Sequence, residues 1–247
     1  MNIFFEIHKD IPREGPGGYK SMLKALSLLP NLPANPSILD VGCGPGKQTI
    51  ALARETGGKI TAVDTHQPFL DGLESRVREA GLAGQIEIIN MSMSALDFPE
   101  ESFDLVWSEG AIYLMGFAEG LRAWQPLVKG GGYVAVTEIS WLKSDPPNEC
   151  KQYWDTEYPV MKSMEENLQI VQEAGYDLVD HFVLPDSDWW GDYYTPLEKR
   201  ISLLREQYAG DPEAIELLDA SQLEMDIHRK YSEWYGYVFY LACRNNV

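Results

Sequence analysis

The run Ile38-Leu39-Asp40-Val41-Gly42-Cys43-Gly44-Pro45-Gly46 carries an apolar segment into a turn with glycine at every second position. Glycines let a backbone bend tightly and let a ligand approach it without side-chain contacts. Asp64 closes the next β-branched run, 24 residues after Asp40. A carboxylate at that place can accept both hydroxyls of a ribose. Turn and acid together point to a cofactor of adenosine type at the carboxyl ends of parallel strands. A dinucleotide fingerprint would need another glycine directly after Gly46, beneath a pyrophosphate, and Lys47 stands there.

These residues need a sheet to hold them. From Ser37 to about Ser140, short β-branched runs alternate with longer helical patterns, as βαβ units do. The runs predict strands at Ile38 to Val41, Lys59 to Asp64, Gln85 to Ile89, Phe103 to Ser108 and Tyr133 to Glu138. Helices are predicted at Lys47 to Thr56, Gln67 to Ala80 and Phe117 to Leu127, with Gly57-Gly58, Gly81, Gly84 and Gly130-Gly131-Gly132 as stops. A helix from Gly18 to Leu29 precedes them. Apolar stripes through Met161, Met164, Leu168 and Val171, and through Leu197, Ile201, Leu204 and Tyr208, mark further helices. Two last strands follow at Asp177 to Leu184 and Gly236 to Arg244. Residues 141–247 hold 15 of the 20 Trp and Tyr, which suggests an aromatic surface or pocket there.

Glycine spacing, Asp40 and Asp64 resemble the first motifs of the class I S-adenosylmethionine-dependent methyltransferases, and the resemblance runs through residues 37–140. It lies with the small-molecule group that includes the ubiquinone and menaquinone methyltransferases. What it implies is an α/β fold, a doubly wound sheet of seven mostly parallel strands with the last antiparallel, and a helical cap inserted after the fifth strand. Residues 1–36 would form an N-terminal helix and lid segment, 37–140 the S-adenosylmethionine-binding core, and 141–247 the cap and last two strands of the same domain. Cofactor residues implied by the resemblance are Asp40, Gly42, Cys43, Gly44 and Gly46 at the turn, with Asp64 and Thr65 at the ribose. Ser92 and Met93 fall where the family carries an acid for the adenine amino group, unless the alignment shifts by one residue. Ser108 ends the fourth strand, and Glu109 beside it is the candidate catalytic residue, or else an N-terminal cap of the next helix. Tyr113, Glu138 and Trp141 are candidates for the acceptor pocket, against the plainer reading of strand-end and core residues. The segment Arg13 to Gly18 would hinge a lid or serve as a flexible lead-in.

Composition narrows the acceptor. A formal charge of −18 and the lack of any Lys/Arg run argue against DNA or RNA, which demand clustered cations. Asp145-Pro146-Pro147-Asn148 resembles the Asp-Pro-Pro-aromatic motif of base methyltransferases but follows the wrong strand and ends in Asn, so it reads as a rigid loop start. Three scattered cysteines and four scattered histidines give neither a disulfide framework nor metal-ligand spacing, and no metal is expected. No apolar stretch approaches the roughly 20 residues a membrane helix needs. Met1 to Lys9, with Phe4 and Phe5, has neither a basic leader nor a signal core, so a cytoplasmic protein is expected. A small-molecule acceptor is the expected partner, with a homodimer left open. A nicotinamide-dependent oxidoreductase, a cofactor-binding protein without turnover and a protein methyltransferase are the competing classes.

Overall fold

Parallel strands covered on both faces need apolar residues at nearly every position, and the short runs of this chain supply them. The computed structural model describes residues 3–9 and 11–245, with only the backbone of residues 4 and 5. Met1, Asn2 and the two phenylalanine side chains invoked for the start of the chain therefore lie outside the described residues. Eight strands form one sheet: β1 (Ser37–Val41), β2 (Lys59–Asp64), β3 (Ile86–Asn90), β4 (Phe103–Ser108), β5 (Val128–Trp141), β6 (Lys162–Ser163), β7 (Tyr176–Val183) and β8 (Tyr235–Arg244). Their order is β3-β2-β1-β4-β5-β8-β7, with β6 paired to the far end of β5. β8 runs antiparallel to both β5 and β7, and the remaining pairs are parallel. The doubly wound sheet expected from the sequence is present, and the eighth strand is the two-residue β6 formed where β5 overruns its expected end.

Strand side chains alternate between two cores. Ile38, Ile60, Leu105 and Trp107 pack with Met22, Leu52, Leu70 and Leu73 from α2 (Tyr19–Ser27), α3 (Lys47–Thr56) and α4 (Gln67–Glu79). Leu39, Val41, Val63 and Val106 face the other way, toward Leu121 and Trp124 of α5 (Phe117–Trp124) and Val171 of α7 (Met164–Glu173). Each such buried aliphatic side chain contributes about 1.5–3 kcal/mol of transfer free energy. A third core joins Ile7 of α1 (Ile3–Ile7) and Ile11 to Trp154 of α6 (Asn148–Glu157), Leu197 of α9 (Thr195–Gln207) and Leu218 of α10 (Pro212–Tyr231). The short α8 (Asp186–Trp189) runs through a π turn at Trp190–Tyr194 into α9.

Three expectations need correction. Helices α6 and α10 were not foreseen; Asp211 caps α10, its carboxylate accepting from the Ala214 amide at 3.1 Å. Gly130 to Gly132 do not stop a helix but begin β5, which starts at Val128. Gly132 leaves little room for a side chain, since a Cβ there would lie 3.0 Å from the Asp104 carbonyl oxygen, and the β4–β5 register shifts at this place.

Gly46 shows how the turn locks the helix to the sheet. It starts α3 in the left-handed region (φ 79°), and a Cβ on it would lie 2.2 Å from Leu73 Cδ1 of α4. Gly46→Ala is therefore expected to destabilise the fold by roughly 2 kcal/mol in urea unfolding, and the Gly46→Ala/Leu73→Ala pair to cost less than the sum of its two single variants. Unchanged stability of the single variant would contradict this packing.

Candidate functional site

In open α/β sheets ligands bind beyond the carboxyl ends of the strands where the order reverses, and here the reversal falls at β1, between β2 and β4. A cavity of about 570 Å³ opens there, within the range of small-molecule sites. Gly42, Cys43 and Gly44 border it from the β1–α3 turn, Asp64 and Thr65 from the end of β2, Ser92 and Met93 from beyond β3, and Glu109 and Tyr113 from beyond β4. The N-terminal segment (His8, Arg13, Glu14, Gly15) and Tyr193, Ser221 and Glu224 complete the wall. A larger cleft of about 700 Å³ lies against α2 and α3, but no strand-end residue lines it, and its two acids, Glu55 and Asp192, are paired with Tyr19 and Lys47.

Asp64 organises the floor. One oxygen accepts from the Gly44 amide at 2.9 Å and the other from the His66 amide at 2.8 Å, so one carboxylate fixes two strand–helix turns. A carboxylate has about four lone-pair sites, which leaves capacity for a ligand's hydroxyls. The Gly42 and Cys43 amides both donate to the Val63 carbonyl, at 2.9 and 3.0 Å. The three glycines serve different ends. A Cβ on Gly42 would collide with that of Ala111 at 2.4 Å and one on Gly46 with Leu73, whereas Gly44 meets nothing closer than Glu14 Cγ at 3.5 Å. Only Gly44 is spared a side chain on the open side.

Two residues expected at the cofactor lie beneath the cavity. Asp40 is fully buried under the turn and accepts from Thr49 Oγ1 of α3 at 2.6 Å. Burial pushes its carboxyl up to about 7, opposed by the Thr49 bond, with Glu109 and Asp64 raising it further. The Ser108 hydroxyl, also buried, donates to the Val41 carbonyl at 2.9 Å and ties β4 to β1. Ser92 Oγ pairs with Ser94 Oγ at 2.9 Å on the cavity wall.

Glu109 is engaged on both oxygens. Arg13 Nη2 stands 2.5 Å from Oε2, and the Trp107 indole donates to Oε1 at 2.9 Å. Arg13 and Glu109 are both buried, so this ion pair lies largely out of water. The segment Arg13 to Gly18 is thereby clamped onto the sheet's end; Gly17 makes it possible, since a Cβ there would lie 2.2 Å from Arg13 Nη2. Arg13 as the partner of Glu109 and the wall residues His8 and Glu224 were not foreseen, whereas Tyr193 comes from the aromatic-rich stretch that the sequence marks as a surface or pocket.

A second cavity, of about 210 Å³, adjoins the first and shares Glu14, Gly110, Tyr113, Tyr193 and Glu224 with it. Beside it Glu138 is buried, one oxygen accepting from Tyr158 Oη at 2.7 Å and the other unpartnered. Trp141 stands apart: β5 carries it three residues beyond Glu138 to a separate depression of about 490 Å³, where it pairs with Tyr235. Cys43, Cys150 and Cys243 are free thiols, and among the described residues no cluster of His, Cys, Asp or Glu has the arrangement of a metal site.

Residues 38–132 match a family described as a methyltransferase domain. Methyltransferase GfsG of Streptomyces halstedii is 30% identical over 43% of this chain and 38% of its own length. The malonyl-[acyl-carrier protein] O-methyltransferase of Salmonella typhimurium is 36% identical over 48% of this chain and 43% of its own. The chain thus spans less than half the length of these curated relatives. A crystal structure of a SAM-dependent methyltransferase from Thiobacillus denitrificans, in complex with S-adenosyl-L-homocysteine, superposes with a TM-score of 0.83 over 98% of both chains at 20% identity. At that identity the likeness is one of fold.

Burial pushes the Glu138 carboxyl up to about 8, against the opposing Tyr158 hydrogen bond. Folding therefore takes up a proton at this residue between about pH 4.5 and 8. The stability that Glu138 contributes falls as pH rises through that window. Glu138→Gln should gain stability over the parent between pH 5 and pH 8, by on the order of 3 kcal/mol in paired urea titrations. A constant difference across that range would show the carboxyl to titrate normally.

Proposed function

We propose that this chain, whose residues 38–132 are a methyltransferase domain of the class I, Rossmann-like kind, transfers a methyl group from S-adenosylmethionine to a small-molecule acceptor. The observation that carries the reading is the pair of adjoining cavities at the switch point. One is lined by the glycine turn and Asp64, and the other opens next to it without touching either. The fit to the cofactor rests on the donor set. Asp64 retains acceptor capacity for ribose hydroxyls, Thr65, Ser92 and Met93 flank the place of the adenine, and Gly44 leaves the turn bare on the cavity side.

When bound, the sulfonium brings an already activated methyl group, so the protein's task is to align donor and acceptor and to exclude water. Asp40 acts from below, holding Thr49 and with it the start of α3. Glu109, bound by Arg13 and Trp107, is a positioning residue that keeps the N-terminal segment over the site. The acceptor is read as a small molecule rather than a nucleic acid on the strength of the −18 formal charge. A cytoplasmic location accords with three free thiols, and no described helix is long and apolar enough to cross a membrane.

Titration calorimetry with S-adenosylhomocysteine tests the assignment. Asp64→Ala should weaken binding by about 2–3 kcal/mol, roughly 30- to 150-fold, as expected for lost hydrogen bonds to a charged group. Asp64→Asn, which keeps an acceptor oxygen, should lose less. Parent-like affinity in Asp64→Ala, with the fold intact by circular dichroism, would remove the ligand from this cavity.

A further inference from the structure

The smaller cavity has a wall chemistry of its own. Tyr113, Tyr153, Trp154, Tyr158, Tyr193 and Tyr237 present aromatic rings to it, and Tyr113 stands edge-on to Tyr158 with centroids 6.0 Å apart. Its charged lining consists of Glu14, Glu157 and Glu224, and among the described residues no Lys, Arg or His lines it. The basic side chains nearby have partners of their own: Arg13 pairs with Glu109 at 2.5 Å, and His8 Nδ1 lies 2.7 Å from Glu14. Glu138 adds a further carboxyl behind Tyr158. Aromatic faces attract cations through their quadrupole, and the attraction grows when water is excluded. A carboxylate or phosphate acceptor would meet like charge on the same wall.

We infer that the acceptor is a cationic amine, its ammonium head held between these aromatic rings and the carboxylates Glu157 and Glu224. The inference rests on the methyl-transfer reading and names its substrate class. Glu224 lines both cavities, unlike Glu157. One of its oxygens accepts from Tyr194 Oη at 2.8 Å, and burial raises its carboxyl above the ordinary range, so it is suited to taking up a proton. The balance is simple. The ammonium gives one proton to Glu224, and the freed nitrogen lone pair forms the N–CH₃ bond. The C–S bond breaks with its electron pair passing to sulfur, leaving a methylated ammonium and S-adenosylhomocysteine. Glu224 then returns the proton to water.

Three probes of one shape and different charge separate the possibilities: tetramethylammonium, neopentyl alcohol and pivalate. Each is titrated by calorimetry into the full chain, with and without saturating S-adenosylhomocysteine. Tetramethylammonium should bind at least tenfold more tightly than the other two. Glu224→Gln should weaken it three- to tenfold, and so should Glu157→Gln at the exposed rim, which guards against a folding defect in the first variant. Equal or tighter binding of pivalate or the alcohol, no binding of any probe, or indifference to both substitutions would overturn the inference. If S-adenosylhomocysteine fails to bind while tetramethylammonium still does, the methyl-donor assignment falls and the cavity's preference for cations stands.

Discussion

The buried pair between Arg13 and Glu109 is the constraint on which the site depends. Removing one partner of such a pair leaves an uncompensated charge out of water and costs about 3–5 kcal/mol. The chain therefore has a strong reason to keep the N-terminal segment down. That segment brings His8, Glu14 and Gly15 to the larger cavity and Glu14, Gly15 and Pro16 to the smaller one. Without the pair, both would lack a wall. The interaction also orients Glu109, whose two oxygens accept from Arg13 and from the Trp107 indole.

Beneath this segment the floor is built from two backbone amides and a hydroxyl answered by carboxylates. Asp64 holds the Gly44 and His66 amides, and Asp40 holds Thr49 at the start of α3. One acid faces the cavity and the other is sealed below it. Their chemistry diverges accordingly: burial pushes the Asp40 carboxyl up to about 7, whereas Asp64 borders the cavity.

The central strands were legible in the sequence because they are short apolar runs between glycine stops, whereas their register was not. Asp64 was legible for the same reason, as an acid at the end of such a run. The cap was only half legible. In α10 the buried residues Ala214, Leu218, Met225, Ile227, His228 and Tyr231 do not keep one stripe, because exposed Leu217 and Leu223 interrupt it. In α6 only Cys150 and Trp154 are buried. What the sequence could not disclose is contact across the chain: Arg13 with Glu109 spans 96 residues, and Tyr194 with Glu224 spans 30. Ser108 and Asp40 carried the right types at the right spacing, yet their partners lie inside the fold.

Under the proposed methyl transfer, the donor lies in the 570 Å³ cavity beneath the clamped N-terminal segment, and not in the larger cleft of about 700 Å³ beside α3. A crystal structure of the protein grown with S-adenosylhomocysteine measures this directly. Ligand density is expected above Gly44, with ribose hydroxyls within hydrogen-bonding distance of the Asp64 carboxylate and Arg13 still on Glu109. Density in the cleft lined by Lys47 and Arg54, with Asp64 facing solvent, would contradict it.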